Sequence, residues 1–250
     1  MKLFILAAGK GERLWPLTKN TPKSLIDFGN GTTLLERQIT NAIDSGLFDE
    51  VIIVTGYKAE QIDAKIRDYN DGIELTTVYN PFYDSANNLV SLWTAHYKML
   101  DHDFMITNGD NVYMTDVFQK VQTDKQDTIQ ITISHKEHYD DDDMKVRLDS
   151  DGNVLQINKE IPKEQTDAES VGLTLVKGEK SRRLFVNKIL QLVTIKRYLH
   201  EFWLEIFNSL IEDGITVQIA RIEKKEWREV DFHPDVDSIK KMVINGLKFC

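Results

Sequence analysis

A chain of 250 residues, 41% of them hydrophobic, is long and apolar enough to close a real core, which excludes a disordered or fibrous protein. Its formal net charge of -9 excludes the broad basic face that a nucleic-acid backbone requires, so any bound anion must be gripped by a few local cations. A single cysteine, Cys250, leaves no internal disulfide framework or thiolate metal site, and with no apolar run of membrane-spanning length a cytoplasmic protein without membrane attachment is expected.

Short apolar runs rich in branched side chains alternate with longer amphipathic stretches: KLFILAA, TLLERQITNAIDSG, EVIIVTG, KAEQIDAKIRDYN and IELTTVY. That alternation is the β-α-β pattern of a mostly parallel, buried sheet with helices on both faces. It continues with NNLVSLWTAHYKML as a helix and DFMITNGD as a strand, so residues 1–110 are expected to form a doubly wound, Rossmann-like α/β half. After Asp110 the texture changes. TIQITISHK, MKVRLDSDGNVLQINK with its Ser-Asp-Gly-Asn turn, and SVGLTLVK predict antiparallel additions to the sheet. A helical region from about 181 to 213, a strand ITVQIARI, the segment EWREVDF and a closing helix from Pro234 complete the chain. No linker, repeat or low-complexity tract divides residues 1–250, which are expected to be a single domain with halves 1–110 and 111–250. The run Asp140 to Asp143 reads as a solvated acidic loop.

Ligands of parallel α/β sheets sit outside the carboxyl ends of the strands, where the irregular segment LAAGKGERLWPLTKNTPKSL, Leu6 to Leu25, follows the first strand. Gly9 and Gly11 permit a tight turn that presents backbone N–H groups to phosphate oxygens, and Arg13 and Lys23 add cations. No Walker A string occurs, and a dinucleotide fingerprint lacks its third glycine because Leu14 stands there. The segment resembles instead the signature LAAGxGxRLxPLTxxxPKxL of the sugar-nucleotidyltransferase-like superfamily, at every specified position. The resemblance implies a loop that wraps a nucleoside triphosphate, with Arg13 and Lys23 as catalytic cations on its phosphates. It also implies nucleotide contacts from Leu6, Ala7, Ala8, Gly9, Gly11, Asn87 and Asp110, the backbone of Ala7 to Gly9 helping to read the base.

A nucleoside triphosphate arrives with magnesium, which takes hard oxygen ligands and needs only one or two protein carboxylates. Asp110 and Asp231 each follow a short strand. On chemistry alone a strand-end aspartate more often caps the next helix; the resemblance implies that these two hold Mg2+.

The stretch YNPFYDSANNLVSLWTA replaces the Gly-rich segment of classical hexose-phosphate enzymes and resembles the branch represented by bacterial phosphocholine cytidylyltransferase, with Tyr79, Asn80, Tyr83, Asn87 and Ser91 on matching places. EWREVDF is similar to the ends of aminoethylphosphonate and phosphoglutamine cytidylyltransferases. The branch implies transfer of CMP from CTP to a small phosphorylated or phosphonate acceptor, here phosphocholine-like, with release of pyrophosphate. By the same resemblance Lys159 reaches the acceptor phosphate, the other reading being a plain surface cation, and Glu169, ahead of the strand SVGLTL, contacts the acceptor. A choline group needs aromatic faces and a carboxylate. Phe202, Trp203 and Glu205 fall near where phosphocholine enzymes place such residues, although Leu204 stands where their acid follows the tryptophan. The helical spacing of Trp203 with Leu199 and Ile206 gives core packing as the alternative. His135, His138 and His233 match no metal pattern and receive no role. Two other functions stay open: a sugar-1-phosphate nucleotidyltransferase using UTP, dTTP or GTP, and a nucleotide-binding regulatory module without catalysis. The oligomeric state stays open as well, a homodimer included.

Overall fold

The run KLFIL forms strand β1 (Lys2–Leu6), buried over its whole length. It lies at the centre of a sheet covered on both faces, so past Lys2 neither set of alternating side chains is polar. The computed structural model describes residues 1–244 except Asn30, Asp68, Asn70 and Asp71; Cys250 lies outside the described residues. After β1 come α1 (Leu34–Ser45), β2 (Glu50–Thr55), α2 (Ala59–Ile66), β3 (Glu74–Tyr79), α3 (Asn88–Ala95) and β4 (Phe104–Asn108). The second half holds β5 (Asn111–Tyr113), α4 (Val117–Lys120), β6 (Thr128–Ser134), β7 (Lys145–Leu148), β8 (Val154–Asn158) and β9 (Ala168–Lys177). It ends with α5 (Glu179–Leu192), α6 (Glu205–Glu212), β10 (Gln218–Ile222), β11 (Trp227–Glu229) and α7 (His233–Ile244).

Among the described residues, the main path of the sheet runs β10-β6-β9-β4-β1-β2-β3, with the β7–β8 hairpin branching from β9. β1 pairs in parallel with β2 and β4, Leu3 standing opposite Val51 and Met105. β9 is antiparallel to all three of its partners, β4, β6 and β7. The sheet is therefore mixed but mostly parallel in its first half, as the β-α-β alternation predicts. Period two divides β1 cleanly: Phe4 and Leu6 enter the core beneath α3, α5 and α6, while Leu3 and Ile5, with Ala7 just past the strand, enter the core beneath α1, α2 and α4. A satellite core of Leu14, Ile26, Phe28, Leu34, Val112, Val230, Val236 and Ile239 packs separately.

The predicted helix over 181–213 is not continuous. α5 stops at Leu192, a 3-10 turn spans Lys196–His200, and α6 starts at Glu205. The interruption falls on Val193-Thr194-Ile195, three β-branched residues, where the Thr194 hydroxyl donates to the Gln191 carbonyl at 2.7 Å. Glu169 is the second residue of β9 rather than a residue preceding it.

At the amino end of β1, away from the ligand crevice, Lys2 Nζ reaches Asp101 at 2.8 Å and Glu50 at 3.3 Å. Burial works against ionisation of Asp101, but hydrogen bonds from Lys2, its own backbone and His102 outweigh it and hold the carboxyl at about 2, below the usual 3.8. A depressed folded-state value stabilises the fold above about pH 4, and that stability is lost as pH falls toward 2. Asp101 is 56% exposed, so solvent screening limits the effect. Asp101→Asn should lower Tm at pH 7 by about 2–3 °C, the shift vanishing near pH 2 in thermal melts followed by circular dichroism.

Candidate active site

The loop leaving β1 is folded back on itself by Gly11, whose φ of 64° lies in the left-handed region. A Cβ at Gly11 would stand 3.0 Å from Lys23 Cβ, so glycine there lets the loop close onto the 3-10 turn Lys23–Leu25. The Thr18 hydroxyl fastens this closure by donating to the Gly11 carbonyl at 2.7 Å. Leu14 is fully buried in the satellite core and Ser24 is buried as well, while the adjoining Arg13 and Lys23 line the cleft. A Cβ at Gly9 would meet no protein atom within 4 Å, so the backbone there borders open space.

That space is a cleft of about 640 Å³. Among the residues expected from the sequence, Leu6, Ala7, Ala8, Gly9, Gly11, Arg13, Lys23, Asn87, Asp110, Lys159, Glu169, Trp203 and Asp231 all line it, whereas Tyr79 and Glu205 do not. Asn87 caps α3, accepting from the Asn88 N–H at 2.8 Å, and its amide donates to the His200 carbonyl at 3.1 Å, tying the two halves together.

Asp110 and Asp231 come together because β5 and β11 form a two-stranded ribbon, and the Val230 N–H donates to the Asp110 carbonyl at 3.0 Å. Neither aspartate is a helix cap. Asp110 leads into β5, and at the start of α7 it is Asp235 that accepts from the N–H groups of Asp231 (3.0 Å) and Phe232 (2.7 Å). The aspartate side chains instead meet the loop cations. Lys23 Nζ donates to Asp110 Oδ2 at 2.8 Å and to Asp231 Oδ1 at 2.7 Å, and Arg13 donates to Asp231 Oδ2 at 3.0 Å.

A third carboxylate, Glu229, was not anticipated. One oxygen from each of Asp110, Glu229 and Asp231 lies within 4.8 Å of the others. The signal was present in EWREVD, since residues two apart in extended backbone share a face. Glu229 keeps water-accessible surface yet is heavily surrounded by protein, the condition of a group on a concave floor. This crowding, together with the charges of Asp110 and Asp231, pushes its carboxyl up to about 8. Burial likewise opposes the charges on Lys23 and Asp231, but there the opposite charges prevail, raising the Lys23 ammonium and lowering the Asp231 carboxyl. Asp110 Oδ1 is buried without a hydrogen-bond partner. Three clustered carboxylates, one with an orphaned oxygen, are a donor set that fits a hard divalent cation.

On the facing wall the expectations need correction. Trp203 is 1% exposed, packs edge-on against Phe207 at 5.7 Å, and donates from Nε1 to Asn108 Oδ1 at 2.9 Å. It is core, with only an edge on the cleft, and it pins the end of β4. Phe202 is the open ring, 40% exposed, and Lys159 Nζ stands 5.0 Å from its centroid. Glu205 is turned to Asn208, which donates to it at 2.7 Å, and burial raises its carboxyl. No aromatic cage for a quaternary ammonium is formed among the described residues of this wall. Glu169 is buried, with its two oxygens engaged by Lys136 and Lys224, each at 2.9 Å. The acidic run is a solvated loop over Asp140, Asp141 and Asp142, all exposed, whereas Asp143 is largely buried and pairs with Lys136 at 2.5 Å.

Residues 2–230 match the family described as Nucleotidyl transferase. The choline-phosphate cytidylyltransferase of Streptococcus pneumoniae is 37% identical over 119 residues, 48% of each chain. The UTP–glucose-1-phosphate uridylyltransferase of Haloferax volcanii is 29% identical over 127 residues, 51% of this chain and 50% of that one. These matches thus span about half the length of the curated relatives. Among solved structures, the CTP:phosphocholine cytidylyltransferase of S. pneumoniae superposes with a TM-score of 0.77 at 23% identity, covering 97% of this chain and 98% of the other, which shows a shared fold. Among the described residues, no helix is long and apolar enough to cross a membrane.

Proposed function

The chain belongs to the nucleotidyl transferase family, and we propose that it transfers CMP from CTP to a small phosphorylated or phosphonate acceptor, with magnesium as cofactor and pyrophosphate as the second product. The observation that carries this reading is the meeting of loop cations Arg13 and Lys23 with Asp110, Glu229 and Asp231 at the mouth of β1 and β4. An acidic protein has here concentrated two positive groups beside an oxygen-donor cluster, which suits a polyphosphate and its counter-ion.

In this reading the backbone from Ala7 to Gly9 borders the base and the loop encloses the triphosphate. Lys159, on the facing wall, takes the acceptor phosphate. An acceptor oxygen attacks the α-phosphorus in line; a new P–O bond forms as the bond to the leaving pyrophosphate breaks. A phosphate or phosphonate dianion is already nucleophilic, so no side chain need remove a proton, and His135, His138 and His233 are not required. Arg13 and Lys23 offset charge on the departing phosphates, making catalysis a matter of positioning and electrostatics. A bound divalent cation held by Asp110, Glu229 and Asp231 would supply further charge neutralisation at the phosphates.

The cytidylyltransferase relative and the segment YNPFYDSANN favour CTP, and the uridylyltransferase relative supports a second reading with a sugar-1-phosphate acceptor. Pyrophosphate release measured over a panel of nucleoside triphosphates and acceptors decides between them. Turnover with CTP and an amino-alkyl phosphate or phosphonate is the expected result. Turnover only with sugar phosphates and no use of CTP would establish the second reading, and nucleotide binding without release would point to a regulatory module.

A further inference from the structure

Resting on the proposed function, we infer that Lys23 is a place-holder for the divalent cation: its ammonium keeps metal alone out of the carboxylate site and yields that site only when the phosphates of a nucleotide draw it away. Its Nζ bonds Asp110 Oδ2 and Asp231 Oδ1 at 2.8 and 2.7 Å, and Arg13 occupies the second oxygen of Asp231 at 3.0 Å. A small divalent ion bridging Asp110 Oδ2 and Asp231 Oδ1 would sit about 2.0–2.1 Å from each, in the space that the ammonium fills. The two cations would repel strongly at such separation in a site screened from water. Their occupancies therefore exclude each other.

Metal alone has a poor exchange to offer. It would strand the Lys23 ammonium, whose side chain is only 15% exposed, away from both of its partners. A triphosphate changes this balance by supplying new acceptors beside the loop. Lys23 lies directly beneath Gly11, its Cβ 3.0 Å from where a Gly11 Cβ would be. Its flexible stem can thus turn from the carboxylates to phosphates held by the loop without moving the backbone. As it leaves, Asp110 and Asp231 are freed for the ion. Nucleotide and metal consequently bind with positive coupling, which must be reciprocal, and the lysine is the coupling element.

The test is direct metal binding to the full chain without nucleotide, using Mn2+ and electron paramagnetic resonance. Lys23→Met should bind Mn2+ at least tenfold more tightly than the wild type, and Lys23→Met combined with Asp110→Asn should lose that gain. Folding is checked by circular dichroism, with Lys23→Gln replacing the methionine variant if needed. A folded Lys23→Met or Lys23→Gln chain that binds Mn2+ no better than the wild type overturns the inference. A second measurement needs no variant: in the wild type, the NMR signal of Lys23 Cε should shift on adding CTP in EDTA and stay in place with magnesium alone. A shift with magnesium alone overturns it equally. Absence of any CTP binding would defeat the proposed function itself, whereas CTP binding with no gain in the lysine variants would defeat this inference only.

Discussion

Asp110→Asn and Asp231→Asn should each lower kcat/KM for pyrophosphate release by about 10³, the scale of losing one preorganised charge stabiliser or metal ligand. Asparagine keeps the shape and one oxygen while removing the negative charge, so the loss reports electrostatics rather than a cavity. The substitutions should leave the fold intact, since Lys23 retains one carboxylate partner in either variant. Asp231→Asn should be the more severe, because it strips a carboxylate from both Arg13 and Lys23. The check is steady-state kinetics beside thermal melts. A loss under tenfold in a folded variant would show that the carboxylate cluster is not where the phosphates and their counter-ion are handled.

Trp203→Ala should destabilise the protein by about 3–5 kcal/mol, the range for emptying a buried aromatic position. The ring is almost wholly enclosed, contacts Phe207, and supplies the hydrogen bond to Asn108 two residues before Asp110. Phe202→Ala, one residue earlier, should cost no more than about 1 kcal/mol because the ring is already partly in water. Urea unfolding of both variants separates a structural from a substrate-facing tryptophan. If Trp203→Ala is as stable as the wild type and differs only in KM for the acceptor, the ring belongs to the substrate surface after all. Trp203→Phe, which preserves most of the volume and deletes the Nε1 donor, isolates the hydrogen bond.

The parts of this molecule legible in the sequence are those encoded over short distances. The clamp from Leu6 to Leu25 is one contiguous string, and its Gly11 and Leu14 have local reasons to be what they are: a left-handed turn and a buried anchor. The parallel strands were legible because burial on both faces leaves runs such as KLFIL and VIIVT without polar interruption. What escaped depends on partners remote along the chain. Glu169 is sealed by Lys136 and Lys224, and only the folded β6–β9 pairing reveals that its oxygens are taken. Asp143 was hidden among identical neighbours, and only its burial and its pairing to Lys136 in the fold distinguish it from Asp141. Glu229 was missed for a different reason: two-residue periodicity places it beside Asp231, but three residues of strand are too few to announce a period.

The satellite core has a consequence for how the protein is made. It joins Leu14, Ile26 and Phe28 of the early loop to Val230, Val236 and Ile239, segments that leave the ribosome at very different moments. Asp231 is translated 208 residues after Lys23, an interval of roughly 10–40 s at typical elongation rates. Throughout that interval the nascent loop lacks part of its apolar backing, Val230, Val236 and Ile239, and one of the carboxylates that hold its lysine. The carboxylate cluster can therefore be completed only once translation has passed the final ribbon.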